Sequence, residues 1–314
     1  MTRPDATPAA VEAVIEAKRR GRFVHAEDVW STTVVFDIDA PHLSVQELFT
    51  ARDAVVAFVH HVDEVFSTYK PHSLVSQLRE GHLTEDDIEA MGVAGNRGAA
   101  ELTQVIRLCR KALIATRGAF DPWGVEGGFD PSGLVKGWAS GVALDILRSH
   151  GVRRAFVNSG GDVATMSDGE AWSTGITDPD DTSRIVKTLD LRTFAIATSG
   201  TYERGDHVVD PRPSAGLADA LPLDPSDVTP GVAVDRRTQR VGSTIKAQGA
   251  RSATVVGPDP ALADAFATAL CVDGLQSIEW FRELGDEWSL YIVPVEGRDE
   301  HGRRTAYRFG TAFN

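Results

Sequence analysis

Asp264 and Thr268 stand four residues apart in Pro260–Val272, a segment whose apolar spacing predicts a helix. That spacing puts one carboxylate and one hydroxyl on the same helical face. Two hard oxygen donors so placed suit Mg²⁺, which keeps most of its shell for water and phosphate oxygens. The same pair would also serve as a solvated polar stripe. A second segment with chemical potential is Asp130-Pro131-Ser132-Gly133-Leu134-Val135-Lys136-Gly137. Here a glycine turn leads into a helix whose first amides lack partners, with Lys136 in its first turn. This arrangement suits a phosphate and equally suits an ordinary capped junction. It is not a GxxxxGK[ST] loop, because no lysine directly follows Gly133. In Asn158-Ser159-Gly160-Gly161-Asp162 the paired glycines let a backbone approach a ligand closely, or simply close a tight turn. Finally, Thr198-Ser199-Gly200, His207, Asp210 and Arg212 fall within 15 residues. They supply hydroxyls, a histidine, a carboxylate and a guanidinium, either as a polar pocket or as turn formers.

These segments need elements to position them. A polar arm is expected over residues 1–22, with a short helix from Pro8 to Arg20, ahead of one domain at 23–314. Alternation of Val34, Phe36 and Ile38 with Thr33, Val35 and Asp37 predicts a strand over Val29–Asp39. Ser44 and Glu47 have capping-box spacing at the start of a helix that ends near Tyr69, before Pro71. Further helices are predicted at Glu85–Met91, Ala99–Thr116 and Leu134–His150, the last stopped by Gly151. Strands are predicted at Ala155–Asn158, Ala171–Thr177, Thr193–Thr198 and 252–256. Others are expected at Ile278–Phe281, Trp288–Val295 and Thr305–Phe309. Residues 213–249, rich in Pro, Asp, Ser and Gly, read as a flexible insertion.

Composition narrows the function. The chain has 314 residues, 32 of them basic and 45 acidic, for a net charge of −13. That balance argues against a nucleic-acid or anionic-membrane partner, which needs a positive field. Two cysteines, Cys109 and Cys271, are too few for a disulfide framework or a zinc site. No window of 18 consecutive apolar residues exists. The stretch from Met1 to Phe23 is polar and basic, without an apolar leader core. A cytoplasmic location with no membrane anchor is therefore expected.

Five blocks, taken in order, resemble the FAD:protein FMN transferase (ApbE) family over residues 29–275 or so. They are Phe66-Ser67-Thr68-Tyr69-Lys70-Pro71 with Ser73; Phe129 to Ala139; and Val157 to Asp162. The others are Ala197 to Gly200 with His207 to Arg212, and Ala261 to Ala269. The resemblance implies an α+β, T-fold-like architecture: mostly antiparallel sheets covered by helices, in two subdomains with FAD between them. It implies Mg²⁺-dependent transfer of the FMN half of FAD to a Ser or Thr hydroxyl of an acceptor protein, with release of AMP. It places Mg²⁺ on Asp264 and Thr268. Contacts to FAD are implied at Thr32, Tyr69, Asp130, Ser132, Gly133, Lys136, Asn158, Gly160, Gly161 and Asp162. Further ones are implied at Thr198, Ser199, Gly200, Asp210 and Arg212. Lys136 and His207 are the catalytic candidates, His207 as base for the acceptor hydroxyl. Where the family has a Met-Gly-Thr-like opening to its first strand, this chain has Trp30-Ser31-Thr32, and Arg212-Pro213-Ser214 replaces Arg-Thr-Gly. The alternatives are an FAD pyrophosphatase using water as nucleophile and a non-catalytic FAD-binding protein.

Overall fold

A computed structural model describes residues 22–200, 208–212, 245–300, 302 and 304–313. The expected helix at Pro8–Arg20, His207 and most of the expected insertion, 213–244, lie outside the described residues.

The strands are β1 (Arg22–Val29), β2 (Thr32–Asp39), β3 (Arg154–Ser159), β4 (Asp162–Ser167) and β5 (Trp172–Asp178). They continue with β6 (Asp181–Leu191), β7 (Ala195–Gly200), β8 (Ala250–Gly257), β9 (Ser289–Pro294) and β10 (Tyr307–Phe309). Eight of them form one sheet in the order β1-β2-β3-β4-β7-β8-β9-β10, and β5 and β6 form a separate ribbon. Every pairing is antiparallel. The α+β class expected from the resemblance is therefore observed. The main helices are α1 (Val45–Phe66), α2 (Leu74–Arg79), α3 (Glu85–Val93) and α4 (Arg97–Ala115). After them come α5 (Ser132–Ser149), α6 (Pro260–Asp273) and the short α7 (Ile278–Phe281).

Alternation along the strands gives the sheet two apolar faces. Val34, Phe36, Ile38, Ala155, Val157, Ala253 and Val255 join the large core shared with α1, α4, α5 and α6. Val163, Ile196 and Val256 point the other way, onto Ile176, Leu189 and Leu191 of the ribbon. Arg154 lays its guanidinium 3.7 Å from the centre of the Trp172 ring and so ties the ribbon to β3. The segment Pro260–Leu284 has the length and apolarity of a bilayer span, but 72% of its most apolar window is buried inside this core.

The helix starts match their sequence signals. Ser44 accepts from the Glu47 amide while Glu47 accepts from the Ser44 amide, both halves of the capping box. Asp259 caps α6 through the Leu262 amide, with Pro260 in the first turn. Two expectations need correction. The single strand over Val29–Asp39 is a hairpin: β1 pairs with β2 across a turn at Trp30 and Ser31, at φ 58° and 55°. Two successive positive φ angles make the turn that suits a two-residue hairpin. Trp and Ser rarely adopt them, so the sequence carries no Asn-Gly or Gly-Gly signal there. The strand expected at Ile278–Phe281 is helical; a four-residue apolar run has no period that separates the two states. The strands β4 and β6 and the helix α2 are additional elements. In β6 the run from Asp181 to Ile185 is exposed, so no buried alternation marks it.

Candidate functional site

Two turns, one strand end and one helix start meet at one end of the sheet. The Trp30–Ser31 and Gly160–Gly161 turns close β1–β2 and β3–β4. Beside them β7 ends at Ser199 and Gly200, and α5 begins at Ser132. Gly160 and Gly161 take φ 65° and 101°, the turn that a two-residue β-hairpin needs. This turn sets Asp162 directly opposite Ser159, on the helix side of the sheet.

Lys136 rises from the first turns of α5 and meets two carboxylates. Its Nζ lies 2.8 Å from Asp162 Oδ2 and 3.1 Å from both oxygens of Asp264. The Gly137 amide also donates to Asp264 Oδ2, at 3.2 Å. The Asp264 side chain is 2% exposed and that of Lys136 is 19% exposed. Burial opposes the lysine's charge, but the attraction of Asp162 and Asp264 outweighs it and raises the ammonium pKa. Burial and the neighbouring Asp162 charge push the Asp264 carboxyl up to about 7, against the opposing pull of Lys136. With all three ionised, one positive and two negative charges leave the cluster one negative charge in excess.

A small-residue stripe makes this contact possible. Gly133, Gly137 and Gly141 recur every fourth residue on α5 and face α6. A Cβ at Gly137 would lie 2.0 Å from the Pro260 carbonyl oxygen and 3.0 Å from Asp264 Cβ. One at Gly141 would lie 2.9 Å from Pro260 Cγ, and one at Gly133 would lie 3.1 Å from Thr268 Oγ1. The Thr268 hydroxyl is 3.2 Å from the Ser199 hydroxyl. Below it the Cys271 thiol donates to the Ser199 carbonyl at 3.2 Å, and burial pushes that thiol up to about 12.

The structure thus gathers Lys136, Asp162, Ser199, Asp264, Thr268, Gly133 and the Gly160–Gly161 turn. Asp130 accepts from the Ser132 amide at 3.0 Å, fixing the first residue of α5. Thr32 opens β2, opposite Val29. Tyr69 follows α1 and is 90% exposed. Other residues serve different ends. Asn158 uses its side-chain oxygen to accept from the Gly161 amide at 2.8 Å, which braces the turn. The Thr198 hydroxyl turns to Thr254 at 2.9 Å, and only its amide meets Asp162, at 3.3 Å. Asp210 and Arg212 form a two-pronged pair with both contacts at 2.9 Å, and Arg212 also reaches Asp273 at 2.7 Å. The glycine stripe and Gly137's amide were not singled out from the sequence; the i, i+4, i+8 spacing was the available signal.

Among the described residues no three His, Cys, Asp or Glu side chains converge on one point for a metal. The hard oxygen donors on α6 are the Asp264 carboxylate and, one turn on, the Thr268 hydroxyl beside that of Ser199. That set fits a hard cation held by few protein ligands, such as Mg²⁺.

Comparison with known proteins follows the same lines. Residues 123–219 match the ApbE family. An FAD:protein FMN transferase of Klebsiella pneumoniae is 31% identical over 101 residues, covering 29% of this chain and 31% of that protein. One of Rhodobacter capsulatus is 33% identical over 183 residues, covering 50% of this chain and 29% of that protein. The chain therefore spans about a third of the length of the curated relatives it matches. The solved ApbE protein of Thermotoga maritima superposes with a TM-score of 0.64 at 20% identity, covering 93% of this chain and 98% of that one. The flavin transferase ApbE from Vibrio cholerae superposes at 0.65 with 18% identity and the same coverages. At such identities the superpositions establish the fold. The resemblance to the ApbE family is thereby shown, in sequence over residues 123–219 and in fold over 93% of the chain.

Proposed function

We propose that this chain transfers the FMN half of FAD to a Ser or Thr hydroxyl of an acceptor protein and releases AMP, with Mg²⁺. The observation that carries this reading is the Lys136–Asp162–Asp264 cluster beside the first turn of α5. Its relatives' name, FAD:protein FMN transferase, supports it.

The acceptor oxygen would attack the FMN phosphorus while the bond to the bridging oxygen breaks and AMP departs with that oxygen. Such a transfer needs in-line positioning and charge neutralisation more than covalent help. Asp264 and Thr268 would hold the Mg²⁺, which when bound neutralises charge on the diphosphate bridge. Gly133 and the start of α5 would face the phosphates, where the positive end of the helix favours an anion, although the Ser132 and Leu134 amides already donate to Asp130 and Pro131. Gly160 and Gly161 expose backbone, without side chains, to the ribityl chain. Lys136 would keep Asp264 oriented through its two contacts. His207 is the proposed base for the acceptor proton, since a histidine titrates near neutrality.

Tyr69 would stack on the flavin from its exposed position. Replacing Tyr69 with Ala is expected to weaken FAD binding about fivefold, in keeping with a lost aromatic contact of about 1 kcal/mol. The melting temperature should not move, because the ring is already in solvent. Titration of flavin fluorescence together with a melting curve checks both.

The reading itself is tested by incubating the protein with FAD, Mg²⁺ and Ser/Thr-bearing acceptor proteins encoded near it. The expected result is an acceptor mass gain of one FMN, with AMP formed in equal amount. FMN and AMP released into solution, with no gain on any acceptor, would point to hydrolysis instead.

A further inference from the structure

The loop that delivers α5 to the site is held from outside by one side chain. Arg79, the last residue of α2, is 18% exposed and lies 50 residues before Phe129 of that loop. Its Nη1 donates to the Phe129 carbonyl and its Nη2 to the Glu126 carbonyl, each at 3.2 Å. Its guanidinium also lies 3.7 Å from Asp130 Oδ2. Asp130 in turn accepts from the amide of Ser132, the first residue of α5. Gly127 makes room for this arrangement: its φ is 79°, and a Cβ there would stand 2.3 Å from Arg79 Nη2. The other end of α2 is also anchored, since Ser73 and Ser76 both donate to the Ser67 carbonyl at the end of α1.

We propose that Arg79 is a positioning residue for the site: it fixes loop 126–131, and through Asp130 the start of α5, relative to Asp162 and Asp264. A guanidinium suits this task because its planar fork can serve two carbonyls and a carboxylate at once. A lysine can reach one of them as a point charge. Arg79 touches neither Lys136 nor the two carboxylates, so its effect on chemistry is indirect. Its effect on the loop is independent of what the site binds; its effect on catalysis rests on the flavin-transferase reading.

Hydrogen exchange tests the first part and kinetics the second. In Arg79→Ala the amides of Gly128, Asp130 and Ser132 are expected to exchange about tenfold faster, with β3, β4 and β7 unchanged. The KM for FAD should rise about tenfold with kcat within about twofold, as when a displaced start of α5 weakens ground-state and transition-state binding of the phosphates equally. Arg79→Lys should fall between Ala and wild type in both measurements. Unchanged exchange over 126–132 would overturn the proposal. So would a kinetic loss that follows the melting temperature across Arg79→Ala and Arg79→Lys instead of the exchange rates. A wild-type chain that never consumes FAD would remove the flavin reading alone and leave the exchange arm to decide the role of Arg79.

Discussion

Asp264→Asn protein is expected to be more stable than wild type at pH 8 without metal, and inactive toward FAD with Mg²⁺. The Asp264 carboxyl is pushed from 3.8 up to about 7 by burial and by Asp162. A carboxyl with a raised folded pKa favours the folded state while it is protonated. That contribution is complete below about pH 4 and is lost as pH rises through about 7. Asparagine keeps the shape and accepts from the Gly137 amide, but carries no charge to bury. Lys136 retains Asp162 as its partner at 2.8 Å. Denaturant unfolding of both proteins at pH 5 and pH 8 checks the sign: the advantage of the variant should appear at the higher pH and shrink at the lower. Mg²⁺ should stabilise the wild type mainly at pH 8 and leave the variant unmoved, because only the ionised carboxylate binds a hard cation. A wild type that gains stability steadily from pH 5 to 8 without metal would contradict the charge assignment.

Gly137→Ala should be the most damaging single methyl group in the site. Elsewhere in a helix, Gly to Ala is favourable by roughly 1 kcal/mol. Here the new carbon would lie 2.0 Å from the Pro260 carbonyl oxygen, a backbone atom that can move only with α6 as a whole. Overpacking of this kind costs about 1–3 kcal/mol and more where backbone is the obstacle. Moving α6 also draws Asp264 away from Lys136 and from the Gly137 amide. A fall in melting temperature of about 5–10 °C is expected, with loss of FAD turnover. Gly141→Ala, whose methyl meets the ring of Pro260 at 2.9 Å, should cost less. Melting curves for the pair read the grading directly. Equal melting temperatures for Gly137→Ala and wild type would mean that α5 and α6 pack less tightly than described.

The parts of this architecture that local chemistry specifies were legible in the sequence. Ser44 with Glu47 and Asp259 with Pro260 announce their helices because the capping bonds span three residues. Gly151 ends α5 at φ 84° for the same local reason. Strands β2, β3, β7, β8 and β9 were found from their apolar content, whereas β6 is too exposed to show a pattern. The turn at Trp30–Ser31 was hidden because its residues seldom take the angles that they adopt. At the site, residue types were legible and partners were not. Lys136, Asp162 and Asp264 could each be singled out, yet their contact spans 26 and 128 positions. It depends on α5 and α6 approaching through a glycine stripe. Asn158 and Thr198 show the converse: neighbours in sequence to site residues, they turn to the Gly161 amide and to Thr254.

The most direct measurement is a crystal structure of the full chain with FAD and Mg²⁺. The diphosphate is expected against the first turn of α5, with the cation touching Asp264 and Thr268 and the flavin near Tyr69. A dinucleotide bound elsewhere, or a cation that leaves Asp264 paired only with Lys136, would contradict the account.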